Sequence, residues 1–449
     1  MSTLKGFGFL FSIAIGASVS AQTVQGQNGG SSSVIGQSTV DVNTITTAVP
    51  FLLIAPDSRA GGMGEAGVST SGDANSIHWN PAKMTFAEKD FGFGLSYSPW
   101  LRNLVPDISL MYVSGYKKID ETQAFGASLL YFTLGDIQFT DEQGNDLMQF
   151  RPNEYAIDLA YSRILSEKLS GGIALRFINS NLTGGQTVGG SQTKAGRSVA
   201  VDVSAYYLNK DLTVIEKDAE FAFGLNISNI GNRMAYSNSS RRDFIPINFR
   251  LGPSLTIDID DYNRITITAD VNKLLVPTTP VYATDDQGAP ITNSNNEYVI
   301  ASGQDPERAV ASGMFGSFTD APGVLETDST GSLIQDSNGE YQVEKGSRFK
   351  EEMNEINYAI GMEYWYNKQF AVRAGYFWEA ATKGNRKFFT LGAGIKYNVF
   401  GIDFAYLIPA YFGSAAVVNS PLKNTLRFSL TFDFEGLKSV AEPAASISE

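Results

Sequence analysis

The sequence predicts an all-β fold: an antiparallel transmembrane β-barrel of about fourteen strands in the outer membrane, with an N-terminal plug. Three observations predict it. Apolar and polar residues alternate in segments between residues 91 and 434, the connections between segments are alternately short and long, and an irregular polar stretch precedes the first segment. Alternation gives a strand two different faces. An apolar outer face, short periplasmic turns and longer outer loops are typical of outer-membrane barrels.

The first 49 residues are predicted to lie outside the folded part of the chain. Residues 1–21 have the features of a secretory signal peptide, because Lys5 precedes an apolar run at residues 7–17 and small residues lead to Ala21. That run is too short for a transmembrane helix, which needs about 20 apolar residues. Residues 22–49 are largely rich in Gly, Ser and Gln, which predicts a flexible leader.

Residues 50–90 are predicted to form the plug. Residues 55–84 read APDSRAGGMGEAGVSTSGDANSIHWNPAKM and have neither helical nor strand periodicity. A polar segment of this kind buries too little apolar surface to offset its ordering entropy when it folds alone. We therefore expect the rest of the chain to surround it.

The barrel is predicted to span residues 91–434, and residues 435–449 are predicted to be a periplasmic tail. Most even-numbered connections are very short, although the sixth, NKDLTVIEKD, is predicted to be a longer charged turn. Most odd-numbered connections are long, and the ninth, residues 275–354, is predicted to be an outer loop of about 80 residues. The predicted strands are residues 91–97, 107–116, 123–132, 154–163, 169–180, 197–208, 219–227, 246–257, 263–274, 355–366, 369–378, 387–398, 401–411 and 424–434.

A secreted β-sandwich is the alternative interpretation of these strands. It would also have a polar and an apolar strand face, but its connections have no reason to alternate between short and long. Inside a plugged barrel, charges of both signs on the polar face can pair with one another and with the plug. The charges on that face are Asp158, Arg176, Asp202, Arg250, Asp270, Glu363, Arg373, Lys396, Asp403, Arg427 and Asp433.

Composition disfavours several classes of function. The chain has no Cys, so it has neither disulfides nor thiolate chemistry. A formal net charge of -13 argues against nucleic acid as a partner. His78 is the single histidine, which leaves no ligand set for a zinc site of the His/Cys type.

Three patterns match known sites only by their letters. Residues 62–67 fit G-x-G-x-x-G, but no strand and helix flank them as a dinucleotide site requires. His78 has no carboxylate placed by spacing to orient it as a catalytic base. Asp258, Asp260 and Asp261 fit a polar hairpin turn and lack the spacing of a calcium-binding loop. The sequence therefore predicts no enzymatic activity, no cofactor and no metal.

Residues 76–84, SIHWNPAKM, carry a resemblance to known proteins. Asn80, Pro81 and Ala82 resemble the Asn-Pro-Ala element in the plug of the FadL family of fourteen-stranded outer-membrane transporters. The wider stretches at residues 50–84 and 91–116 are similar to the PorV (LptO) family, the FadL-related components of the type IX secretion system of Bacteroidota.

This resemblance implies a shuttle in the outer membrane of a Gram-negative bacterium. Such a protein accepts secreted cargo from a translocon barrel of the SprA/Sov type and recognises the cargo by its C-terminal signal domain. It then delivers the cargo to the surface sortase PorU and its attachment complex, where the signal is exchanged for a lipopolysaccharide anchor. We expect the lumen acids Asp158, Asp202, Asp270 and Glu363 to receive a basic group of the signal domain.

The alternative function is a FadL-type channel for the uptake of hydrophobic small molecules. Such a channel needs an apolar pocket inside the barrel and a lateral opening. The inward-facing positions of the predicted strands are mostly small or charged, which disfavours this function.

Overall fold

The computed structural model describes residues 43–101, 107–140, 146–188, 191–237, 242–285, 289–295, 297–328, 333–410 and 422–435. The predicted signal peptide, residues 22–42 of the predicted leader and residues 436–449 of the predicted tail lie outside these ranges.

Fourteen antiparallel strands form a closed barrel, which confirms the predicted fold class. Each strand pairs with its neighbours in sequence, and β14 pairs with β1 from Phe91 opposite Phe434 to Tyr97 opposite Phe428. The strands are β1 Phe91–Pro99, β2 Ile108–Lys118, β3 Gln123–Leu134, β4 Asn153–Ser166, β5 Leu169–Asn181, β6 Gly196–Val214, β7 Lys217–Gly231, β8 Asn248–Asp258, β9 Asn263–Leu274, β10 Ile356–Tyr366, β11 Phe370–Trp378, β12 Lys387–Tyr397, β13 Phe400–Pro409 and β14 Leu426–Phe434.

The even-numbered connections are tight turns at one end of the barrel. The tenth lies between Tyr366 and Phe370 and contains Asn367 and Lys368, both with φ of 51°, a left-handed backbone typical of tight hairpin turns. The sixth is shorter than predicted: only Ile215 and Glu216 separate β6 from β7. A register irregularity at residues 209–212 interrupts the apolar–polar alternation, so the sequence pattern ends before the strand does.

The apolar faces of the strands point outward. Leu159, Ile173 and Val372 are more than half exposed, while polar and small residues between them are buried. A continuous apolar outer surface is matched by the hydrocarbon of a bilayer, and a closed barrel satisfies every strand hydrogen bond within the protein. Among the described residues, no helix is both long and apolar enough to cross a membrane.

Residues 43–90, which we call the N-terminal segment, lie inside the ring of strands. The segment contains two 3₁₀ helices, Pro50–Leu53 and Pro81–Phe86, and two four-residue helices, α1 Ser58–Gly61 and α2 Ser76–Trp79. It contacts strands on all sides of the barrel. Met63, Val68, Ile77, Ala82 and Met84 are fully buried.

The ninth connection covers the outer end of the barrel, which we define as the end with the odd-numbered connections. Within it, Val281–Tyr282 pairs with Ile300–Ser302, and two helices follow: α3 Val310–Gly316 and α4 Ser347–Asn354. Two other outer connections also contain short hairpins, Ile137–Thr140 with Asp146–Phe150 and Thr187–Val188 with Ser191–Gln192.

Candidate functional site

The Asn-Pro-Ala motif fixes the N-terminal segment to the barrel wall. The Asn80 side-chain amide donates to the carbonyl oxygens of Val68 and Ala205, each at 3.0 Å. Its oxygen accepts from the backbone N–H of Ala82 at 3.0 Å. Pro81 occupies the first turn of the following 3₁₀ helix, where a backbone N–H would have no acceptor within the helix, so proline costs no hydrogen bond there. Asn80 therefore joins two parts of the segment to β6.

Ala82 packs against the wall with no spare room. The Ser204 hydroxyl lies 3.1 Å from the Ala82 nitrogen. A Cβ added at Gly172 in β5 would lie 2.5 Å from the same nitrogen, a contact that real Cβ atoms do not make. The motif and the small residues facing it therefore form one close backbone contact.

Glu363 lies at the centre of an ion network that joins segment to wall. Arg59 binds both of its carboxylate oxygens, at 2.8 and 3.0 Å, and also reaches Asp73 at 2.9 Å. Arg373 donates to Glu363 at 2.6 Å and to Asp403 at 2.6 Å. The contacts therefore run in the order Asp73, Arg59, Glu363, Arg373 and Asp403. Each of the two buried arginines lies between two carboxylates.

The other candidate acids are also engaged inside the chain. Asp158 accepts from Arg176 Nε at 2.6 Å, and Arg176 Nη2 lies 3.2 Å from Asp202. Asp202 also accepts from the backbone N–H of Asn229 at 2.7 Å. Asp270 accepts from two successive backbone N–H groups of the N-terminal segment, Gly67 at 2.8 Å and Val68 at 2.9 Å.

The structure does not bring Asp158, Asp202, Asp270 and Glu363 together into one open site. Their exposed fractions are 3%, 0%, 1% and 1%. A basic group arriving from outside would have to displace an arginine or the N-terminal segment to reach any of them. Their role as cargo contacts stays a prediction, and the observed bonding does not favour it in this conformation.

His78 is a packed residue of the N-terminal segment. Its ring lies edge-on to those of Trp79 and Tyr112, at centroid distances of 4.9 and 6.2 Å. Burial, with Arg250 and Arg176 nearby, lowers the pKa of His78 well below its ordinary value, so the ring is neutral. The described residues contain no group of three or more His, Cys, Asp or Glu that could hold a metal ion.

A cavity of about 380 Å³ opens at the outer end of the barrel. Its lining includes residues between 45 and 54 of the N-terminal segment and residues of the connection from β11 to β12. Arg386 binds Glu379 through two nitrogens at 2.8 and 2.9 Å, and this pair lies in the cavity wall. The apolar lining residues include Ile45, Leu53, Ile54, Trp100, Leu274 and Phe388.

Carboxylates of α4 and the residue after it tie the end of the outer loop to the rim of this cavity. Glu355 accepts from Lys273 at 2.6 Å, from Lys383 at 3.0 Å and from the Thr278 hydroxyl at 2.7 Å. Lys383 also reaches Glu351 at 2.8 Å. Sequence reasoning missed this contact, although the acidic residues at positions 351, 352 and 355 share one helical face and so were a usable signal.

The family model for "Type IX secretion system protein PorV" matches residues 37–281, more than half of the chain. The chain belongs to the PorV family. It is therefore an outer-membrane component of type IX secretion in a Gram-negative cell, it associates with that machinery, and it is not an enzyme. The predicted family, location and lack of enzymatic activity are confirmed.

Comparison with solved structures finds several chains similar to this one. The toluene transporter TodX of P. putida is 13% identical, with 86% of this chain and 99% of that chain covered and a TM-score of 0.44. TbuX of Ralstonia pickettii is 10% identical, with 85% and 98% covered and a TM-score of 0.39. A Pseudomonas aeruginosa FadL homologue is 11% identical, with 88% and 100% covered and a TM-score of 0.39. None of the curated proteins matches the chain significantly.

Proposed function

We propose that this PorV-family barrel is a binding and shuttling protein, which accepts secreted cargo by its C-terminal signal domain and carries it from the translocon barrel to the surface sortase. One observation supports this proposal above the others: the barrel interior is filled by the N-terminal segment, while a cavity and an ordered loop lie at the outer end. A barrel built in this way is suited to binding at its outer end rather than to conducting through its lumen.

In this proposal residues 50–90 act as a plug that stays in place during the shuttle cycle. Its ion pairs to Glu363 and Arg427, and the two backbone donors to Asp270, tie it to strands on different sides of the wall. Removing one partner of a buried ion pair costs about 3–5 kcal/mol. Release of the whole segment would break several such contacts at once.

The cavity at the outer end is the proposed cargo-binding site. Its apolar lining with paired charges at the edge resembles the centre and rim of a protein interface. The translocon of the SprA/Sov type, the sortase PorU with its attachment complex, and the signal domains of secreted proteins are the partners that the family resemblance implies. Lipid and lipopolysaccharide of the membrane surround the barrel.

A pull-down with a signal-domain fusion tests the proposal. Immobilised barrel should retain a fluorescent protein that carries a signal domain and should not retain the same protein without it. In cells, deletion of the gene should release many secreted proteins from the surface at once. Retention of neither fusion, together with normal surface anchoring in the deletion strain, would contradict the proposal.

Uptake of hydrophobic small molecules remains the rival function. It needs a continuous apolar path, whereas Met63, Val68 and Ile77 of the N-terminal segment are each 0% exposed inside the barrel. A deletion strain that grows normally on long-chain fatty acids would count against uptake.

A further inference from the structure

The outer loop contains an internal duplication. Residues 281–300 and 324–343 align without a gap at an offset of 43 residues. The first copy reads VYATDDQGAPITNSNNEYVI and the second VLETDSTGSLIQDSNGEYQV, with nine of the twenty positions identical. A further identity, Gly303 and Gly346, follows each copy, and both glycines have positive φ, at 99° and 82°.

The two copies also have the same backbone structure. In each, three short extended segments bond to one another in a ring, so that every segment pairs with the other two. In the first copy Ala283 donates to Val299, Val299 to Ile291 and Ile291 to Ala283, at 2.8, 2.9 and 2.8 Å. In the second, Glu326 donates to Gln342, Gln342 to Ile334 and Ile334 to Glu326, at 2.8, 2.9 and 3.0 Å.

The second turn of each copy is capped in the same way. Asn293 Oδ1 accepts from the backbone N–H of Asn295 and Glu297, at 2.9 and 3.0 Å. In the second copy, Asp336 Oδ1 accepts from Asn338 and Glu340, at 2.8 and 3.0 Å. Sequence and structure together define a repeated module, and we call residues 281–300 and 324–343 modules 1 and 2.

Each module is followed by a helix that exposes a large apolar side chain. Phe315 of α3 and Phe349 of α4 are each 72% exposed. Met353, four residues after Phe349 and so on the same face of α4, is 40% exposed, and Phe318 is 48% exposed. These residues lie in the outer loop beyond the strands, where lipid does not explain apolar exposure as it does on the barrel wall. Large apolar side chains exposed outside the membrane, such as the Phe349 and Met353 pair on α4, are candidates for an interaction surface.

The charge of the loop restricts the partner. Residues 275–354 contain thirteen Asp and Glu but only four Lys and Arg, so most of the chain's net charge of -13 is concentrated there. Negative charge is repelled by an anionic membrane surface, which attracts basic segments instead. An interface with an apolar centre and an acidic rim fits a protein surface that is basic around an apolar patch.

We infer that modules 1 and 2, with Phe315 and Phe349 as anchors, form a docking arm for the basic face of the signal domain of a secreted protein. This inference rests on the proposed function and adds a second contact region to the cavity. Because both modules are on one loop, they can contact the same partner. Once one module has bound the partner, binding of the other module is intramolecular.

The test uses the purified full-length barrel in nanodiscs and a fluorescent signal-domain fusion as the probe. Changing Phe315→Ser and Phe349→Ser together should raise the Kd for the probe roughly tenfold or more, as loss of exposed aromatic anchors does at other interfaces. The control is Ile215→Ser, which removes an 89% exposed apolar side chain at the opposite end of the barrel and should leave the Kd unchanged. Raising the salt concentration should weaken binding of the unchanged protein.

The outcomes separate this inference from the proposed function. If the unchanged barrel binds the probe and the double variant binds equally well, the docking arm is wrong and the proposed function stands. If the unchanged barrel does not bind the probe, both are wrong. In nanodiscs without probe, the thiol of a Phe349→Cys variant, unique in this Cys-free chain, should react with maleimide at the rate of an exposed cysteine. Much slower labelling would mean that lipid or the chain itself covers this face, and would overturn the inference.

Discussion

Replacing Asn80 with Ala should loosen the N-terminal segment while leaving the barrel intact. The Asn80 side chain makes three hydrogen bonds, two of them buried: it donates to the Val68 and Ala205 carbonyls and accepts from the Ala82 N–H. Each is worth about 1 kcal/mol net, so Asn80→Ala should stabilise the opened segment relative to the closed one by about 3 kcal/mol. That corresponds to an opening equilibrium roughly 150-fold more favourable.

The chain has no Cys, so a single introduced Cys gives a clean readout of opening. Ala66 is 0% exposed in the N-terminal segment, and maleimide should label Ala66→Cys only when the segment opens. Combining it with Asn80→Ala should raise the labelling rate about 100-fold or more. Combining it with Asn295→Ala, an exposed amide of module 1, should leave the rate unchanged. Equal rates for the two combinations would refute the role of Asn80 as an anchor.

Three further predictions test the wall, the close contact and the outer loop. Glu363→Gln leaves Arg59 and Arg373 buried beside a neutral partner, so it should lower the free energy of unfolding in urea by about 3 kcal/mol. The control Glu297→Gln, on the exposed loop, should change this free energy little. Gly172→Ala places a Cβ 2.5 Å from the Ala82 backbone nitrogen and should reduce the yield of heat-modifiable folded barrel. Gly171→Ala should be tolerated, because its Cβ meets the flexible Leu165 side chain at 3.2 Å and the Ser204 carbonyl oxygen at an ordinary contact distance of 4.0 Å. Burial raises the pKa of Asp320 to about 6 against the pull of Arg308, so the native loop holds this proton more tightly than the unfolded chain does. The stabilisation of the loop by protonated Asp320 is therefore fully present below about pH 4 and is lost as the pH rises through about 6. Limited proteolysis should cut residues 275–354 faster at pH 7 than at pH 5, and Asp320→Asn should reduce that difference; an unchanged difference would contradict the assignment.

The fourteen strands were predictable because each has one face against lipid and one against a filled interior. Residues such as Leu391 and Ala393, set against Thr390 and Gly392, keep this alternation over their whole length. The pattern fails at residues 209–212, where a register irregularity precedes the turn at Ile215 and Glu216. Strand ends that contain bulges are poorly marked by alternation alone.

The interior was predictable in character but not in its pairings. Alternation places Asp158, Asp270 and Glu363 on the inward face, yet it cannot tell that Arg176, backbone N–H groups and Arg59 occupy them. The backbone N–H groups and Arg59 come from the distant N-terminal segment, and the pairing of Arg176 with Asp158 depends on the register of two neighbouring strands. A charged inward residue is therefore weak evidence for an external ligand, because another part of the same chain can satisfy it first.

The duplication in the outer loop was visible in the sequence and was missed. An offset of 43 residues aligns nine identities, including Thr284 with Thr327 and Tyr298 with Tyr341. Its repeated strands are too short, and too little alternating, for a strand search to find. Comparison of the loop with itself would have found it.

In the proposed function, cargo binds at the outer end of a barrel whose interior stays filled. A photo-crosslinking amino acid at Thr46, which lines the outer cavity, tests it in cells that secrete a tagged signal-domain protein. We expect a crosslink from Thr46 to the signal domain and none from the same amino acid at Ile215 in the opposite turn. Crosslinking from Ile215, or none from Thr46 while surface anchoring is normal, would contradict it.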